Sequence, residues 1–188
     1  MSFRGRSIVS LVASSAVAAV IALGVFYVSL LATSTPLNVD EQSKVDKAIN
    51  VLEAKGFIDE AILLKHATVF RSSDHWFNAI TLNADSYAAT NFPFQIVTLH
   101  PDFYSKAADS TERAMILLHE AAHLRSMNEA DAYAYVWQNR EALSWTQLTH
   151  GTTPAYVTIS DQTREFAPQL FTCPDRLWSD CTEGSKDR

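Results

Sequence analysis

The sequence predicts an α+β protein: one N-terminal transmembrane helix, then a single small domain in which an apolar helix packs on a short sheet. Three observations point there. Residues 8–32 contain no charged side chain. Apolar residues recur at helical spacing over 38–55 and again over 110–124. Between these two stretches, β-prone runs alternate with turn clusters.

The N-terminal stretch comes first. Residues 8–32 suffice to cross a hydrocarbon core of about 30 Å. A cleaved signal usually carries a shorter apolar region of about 7–15 residues, so an uncleaved anchor is the preferred reading, although Leu31-Ala32-Thr33-Ser34 leaves room for cleavage. Arg4 and Arg6 precede the span, and Asp40 and Glu41 follow it. The positive-inside rule then keeps residues 1–7 in the cytoplasm and exports the rest, to a periplasmic or extracellular side. Residues 33–37 form a polar linker in which Pro36 stops the anchor helix. Residues 38–181 form the domain, and residues 182–188 are expected to be a disordered tail.

Composition narrows the function classes. The formal net charge of −6 and pI near 5.4 argue against a nucleic-acid binder, which needs a basic face. Cys173 and Cys181 lie eight residues apart, and in an oxidising compartment they pair most simply with each other.

Within the domain, Val39, Val45, Ala48, Ile49 and Leu52 follow a helical period, and Gly56 is a natural stop. A second short helix is expected over 57–65. Thr68-Val69-Phe70 is β-prone and Ser72-Ser73-Asp74 is a turn. A strand is expected over 79–82, a turn at Asn91-Phe92-Pro93 and a strand over 94–99, ended by His100-Pro101-Asp102. Asp109-Ser110-Thr111-Glu112 opens the next helix, with Asp109 or Ser110 as N-cap. That helix is expected over 110–124, with Ala114, Leu117, Leu118, Ala121 and Ala122 packed inward. After Trp145 a loop is expected over 149–154, a strand or extended segment over 155–159, and an irregular or briefly helical stretch over 162–170.

The chemistry sits in His119-Glu120-Ala121-Ala122-His123. A spacing of four puts both imidazoles on one helix face, one turn apart, where they can share one Zn²⁺. Glu120 is then placed to act as general base on water. The third ligand must come from elsewhere, and Glu129 is the best candidate. On an unbroken helix Glu129 would lie about 9 Å beyond His123 along the axis and well round the cylinder. Asn128, however, is a good N-cap, with Asp131 at its N3 position. A break over 125–128 and a new helix over 129–143 are therefore expected. Asp131 is the runner-up ligand.

This is the H-E-x-x-H pattern of zinc metallopeptidases. Glu129-Ala130-Asp131-Ala132-Tyr133 resembles the E-x-x-A-D or E-x-x-A-N segment of small gluzincins, with Tyr133 where those families often place Asp or Asn. The likeness to the metzincins is weaker, since Ser126 stands where their turn glycine would be. The resemblance covers about residues 111–136. It implies a zincin-like domain, one Zn²⁺ held by His119, His123 and Glu129, and hydrolysis of peptide bonds with Glu120 as catalytic base. It implies a peptide or protein substrate, which the strand over 94–99 can bind as a sheet edge. His100, His150 and Tyr156 are candidate oxyanion donors. Two other readings stay open: a non-catalytic membrane-anchored zinc-binding module, and a zinc amidase acting on cell-wall peptides.

Overall fold

A computed structural model describes residues 3–76, 86–173 and 180–182. They fall into two compact units: residues 3–35 with 74–76, and residues 36–73 with 86–173 and 180–182.

In the first unit, α1 (Phe3–Ala32) is a single continuous helix. It begins before residue 8 because nothing in the basic stretch breaks it. Its segment Ser10–Ala32 is apolar and about 34 Å long at 1.5 Å per residue, enough to cross a membrane. Trp76 packs near its C-terminal end. Its indole Nε1 donates to Ser29 Oγ at 3.2 Å, and its ring meets Phe26 edge-on at 5.6 Å.

The second unit is α+β. α2 (Val39–Ala54) is capped by Asn38, which exchanges hydrogen bonds with Glu41 in a capping box. Val45, Ala48, Ile49 and Leu52 form its buried stripe, whereas Val39, part of the expected period, is exposed on the first turn. Gly56, at φ +91°, takes the left-handed conformation that ends the helix. α3 (Ile58–His66) follows as expected.

Among the described residues the sheet has three strands: β1 (Val69–Arg71), β2 (Ala88–Asn91) and β3 (Ile96–Leu99). Their order is β1-β3-β2, with β3 parallel to β1 and antiparallel to β2. Every residue of β3 is buried. The strand expected over 79–82 lies outside the described residues. The strand expected over 94–99 begins at Ile96, because Gln95 turns the chain at φ +53°. β2 was not anticipated; Asn91, expected in a turn, is its last residue.

α4 (Pro101–Ser105) is a short helix that Pro101 starts directly after β3. α5 (Ser110–Leu124) has the expected bounds. Asp109 is its cap: Oδ1 accepts from the Thr111 and Glu112 amides at 2.8 and 3.0 Å. Its apolar residues from Ala114 to Leu118, with Ala121 and Ala122, are buried against α2, α3 and β2. The fully buried Glu112 is satisfied by the Ala108 amide, the Trp145 indole and the Thr153 hydroxyl.

α6 (Glu129–Asn139) starts where expected but stops four residues early, and residues 140–144 form turns ending at Ser144, φ +61°. After the one-turn α7 (Gln147–His150) comes α8 (Pro154–Phe166). The extended segment expected over 155–159 is thus helical. Val157, Thr158 and Ile159 suggested a strand, but Thr153 caps the Tyr156 amide and Pro154 presets the first turn. Ala155, Tyr156, Ile159 and Thr163 then make one buried face. A 3₁₀ turn, Pro168–Leu170, follows.

Cys173 and Cys181 form the expected disulfide. Beside it, buried Asp180 pairs with buried Arg140 at 2.7 Å and accepts from the Trp137 indole at 2.6 Å. Removing one partner of a buried pair strands the other charge, at about 3–5 kcal/mol. Asp180→Ala is therefore expected to lower unfolding stability by about that amount, read by denaturant titration.

Candidate metal centre

Two helices and the break between them build the site. On α5, His119 and His123 share one face, with Nε2 atoms 3.0 Å apart. α5 ends in a Schellman motif. The Met127 amide donates to Ala122 O at 3.0 Å and the Ser126 amide to His123 O at 2.8 Å. Ser126 occupies the left-handed position at φ +66°. Asn128 then caps α6, accepting from the Asp131 amide at 2.9 Å. This fold-back places Glu129 over the two histidines: Oε2 lies 3.4 Å from His119 Nε2, and Oε1 lies 3.4 Å from His123 Nε2.

Among the described residues, His119, His123 and Glu129 form the one group of three His, Cys, Asp or Glu side chains close enough to hold a metal ion. Tetrahedral ligands at about 2.0–2.1 Å from an ion stand roughly 3.3–3.4 Å from one another; the three edges here are 3.0, 3.4 and 3.4 Å. His123 Nδ1 lies 3.0 Å from Met127 O. A proton donated there directs the Nε2 lone pair at the shared point. Asp131 is exposed and stands outside the group.

Electrostatics follow the geometry. Burial acts to lower the His123 pKa, but its hydrogen bond with Glu129, the charge of Glu120 and the bond to Met127 carry it up to about 9. The imidazoles of His119 and His123 hold Glu129 well below the usual carboxylate range, against the penalty of burial.

Glu120 is buried, and its Oε2 accepts from Thr90 Oγ1 at 2.6 Å. Thr90 lies on β2, so the sheet fixes the orientation of this carboxylate. Tyr133 completes the wall. Its ring lies 4.4 Å from that of His119, its hydroxyl donates to Gln162 Oε1 at 2.8 Å, and Phe166 stacks on it at 5.2 Å. Burial and the charges of Glu129 and Glu120 push its pKa far up, so the hydroxyl stays protonated. The wall therefore draws on α8, of which the sequence suggested at most a brief helix over 162–170.

Comparison with protein-family models, with curated proteins and with solved structures finds no match for this chain. What the site can do rests on its own residues.

The three candidate oxyanion donors have other partners. His150 bonds Asp109 at 3.1 Å, at the opposite end of α5 and about 15 Å along its axis from His119. Tyr156 packs between Trp137 and Trp145 in the core. His100 is tied to Ser86 at 2.7 Å. The residues missed beside the histidines are Thr90, Gln162 and Phe166. Thr90 follows Tyr87-Ala88-Ala89 in a short β-prone run too brief to stand out. Gln162 and Phe166 become adjacent to Tyr133 only once 154–166 is helical.

Proposed function

We propose that this chain is a membrane-anchored zinc peptidase of the zincin type, resembling small gluzincins. The observation that carries the reading is the triangle of His119, His123 and Glu129, with edges of 3.0, 3.4 and 3.4 Å, beside a buried and oriented Glu120. A zinc ion bound there supplies Lewis acidity toward a carbonyl and brings the pKa of water toward about 7. Glu120 accepts the proton of the attacking water and delivers it to the leaving amine. Thr90 holds Glu120 in place, and Tyr133, backed by Phe166, packs against the His119 ring.

The substrate edge is β2 rather than β3. β3 is paired on both sides and accepts no further strand, which rules out the sheet edge expected over 94–99. Among the described residues β2 is an outer strand whose Thr90 touches Glu120, so an extended peptide added along it runs past the catalytic carboxylate. The apolar α1 serves as the anchor. Arg4 and Arg6, in α1 ahead of its apolar segment Ser10–Ala32, support a cytoplasmic N-terminus, and the Cys173–Cys181 disulfide suits an exported domain.

The test is metal analysis of the full chain in detergent, with about one zinc per chain expected after reconstitution. Its pH dependence has a defined sign. His123 must lose its proton to bind zinc, and in the metal-free chain that proton is held to about pH 9. Apparent zinc affinity should therefore rise between pH 6 and 9, by up to about tenfold per unit for each proton released. A flat profile, or a chain that retains no zinc, refutes the centre.

A further inference from the structure

The break between α5 and α6 decides whether Glu129 reaches the histidines, yet its local encoding is weak. The left-handed position is held by Ser126 instead of glycine, which is disfavoured by about 1–2 kcal/mol. A second restraint spans the break. Glu60, on α3, has a buried side chain, 6% exposed. Its Oε1 takes Arg125 Nη1, from the residue that caps α5, and the Tyr135 hydroxyl at 2.7 Å, from α6. Arg125 precedes the break and Tyr135 lies six residues beyond Glu129. One buried oxygen thus joins both arms of the elbow. A carboxylate is costly to bury without partners, and these two partners pin α3 to both sides of the turn.

We infer that Glu60 is a positioning residue for the metal centre: through Arg125 and Tyr135 it sets the angle between α5 and α6 and so delivers Glu129 to His119 and His123. The inference rests on the zinc reading above. It differs from a general stabilising role in one respect: Glu60 must act through Glu129.

The experiment is zinc competition titration of the full chain in detergent for wild type, Glu60→Gln, Tyr135→Phe and Glu129→Ala, and for the first two substitutions combined with Glu129→Ala. Outer partners of metal ligands typically contribute about 10–100-fold to affinity. Glu60→Gln is expected to weaken zinc by about tenfold or more, and Tyr135→Phe by less. Neither should weaken it further once Glu129 is alanine. Where Glu60→Gln fails to fold by circular dichroism, Tyr135→Phe, which deletes one hydroxyl, carries the same comparison. Wild-type affinity in both variants overturns the positioning role and leaves the metal centre standing. An equal loss with and without Glu129 also overturns it, since Glu60 then acts on the histidines or the fold at large. A wild-type chain that binds no zinc overturns both.

Discussion

Glu120→Gln is expected to reduce peptide hydrolysis by at least about 10²–10⁴-fold while the chain keeps its zinc, the range typical of a lost general acid–base group. Glutamine has the same shape and can still accept from Thr90 Oγ1, which lies 2.6 Å from the carboxylate. What it lacks is the capacity to take a proton from water. Glu120 is also outside the ligand triangle, so metal content should not change. The check is a peptide-library cleavage assay run beside metal analysis on the same preparations. Three outcomes separate the possible functions. Loss of cleavage with zinc retained supports the peptidase. Cleavage that survives the change removes Glu120 as the base. A wild-type chain that holds zinc and cleaves no peptide, including cell-wall peptides, is a binding module instead of an enzyme.

Substituting the ligands should produce the second large effect. His119→Ala and His123→Ala should each abolish stoichiometric zinc. Glu129→Ala should weaken it strongly, and Asp131→Ala should leave it unchanged. The contrast between the two acids is sharp because both lie in the first turn of α6. Near a helix N-terminus either is favoured by the dipole, so their sequence positions alone do not rank them. Glu129 meets both imidazoles at 3.4 Å, whereas Asp131 is exposed and apart. A ligand that binds only the folded state also stabilises it by mass action, about 2.7 kcal/mol at a hundredfold excess over Kd. Thermal unfolding with and without zinc should therefore show a clear rise for wild type and for Asp131→Ala. The two histidine variants should show none. A zinc-dependent rise that survives in His119→Ala places the ion elsewhere.

The positions of agreement and disagreement between sequence and structure have physical causes. Helices with strong local signals appear where the residues place them. α5 has a capping aspartate, an apolar face and a defined end, and its bounds are as expected. The break at 125–128 was legible because Asn128 is a good cap and because an unbroken helix carries Glu129 away from His123. Segments with competing signals were misjudged. Residues 155–159 combine β-branched side chains with a Thr-Pro helix start, and packing of Tyr156 and Ile159 into the core settles them as helix. The sheet edge was misassigned because strand order is not a local property. Ile96 to Leu99 reads as a good strand, and nothing in those four residues says that both neighbours are occupied. The oxyanion candidates have partners that no local signal shows: His150 bonds Asp109, Tyr156 packs on Trp145, and His100 bonds Ser86.

By itself the sequence determined the spacing of His119 and His123, the cap at Asn128, the apolar N-terminal span and the pairing of Cys173 with Cys181. These depend on helical periodicity, on capping chemistry within a turn, or on short chain separations, all of which act over a few residues. Only the tertiary structure decided that Thr90 holds Glu120, that Tyr133 and Phe166 wall His119, and that Glu60 bridges the elbow through Arg125 and Tyr135. Those contacts join residues 14 to 75 positions apart, and they exist because burying one apolar core forces separate elements together.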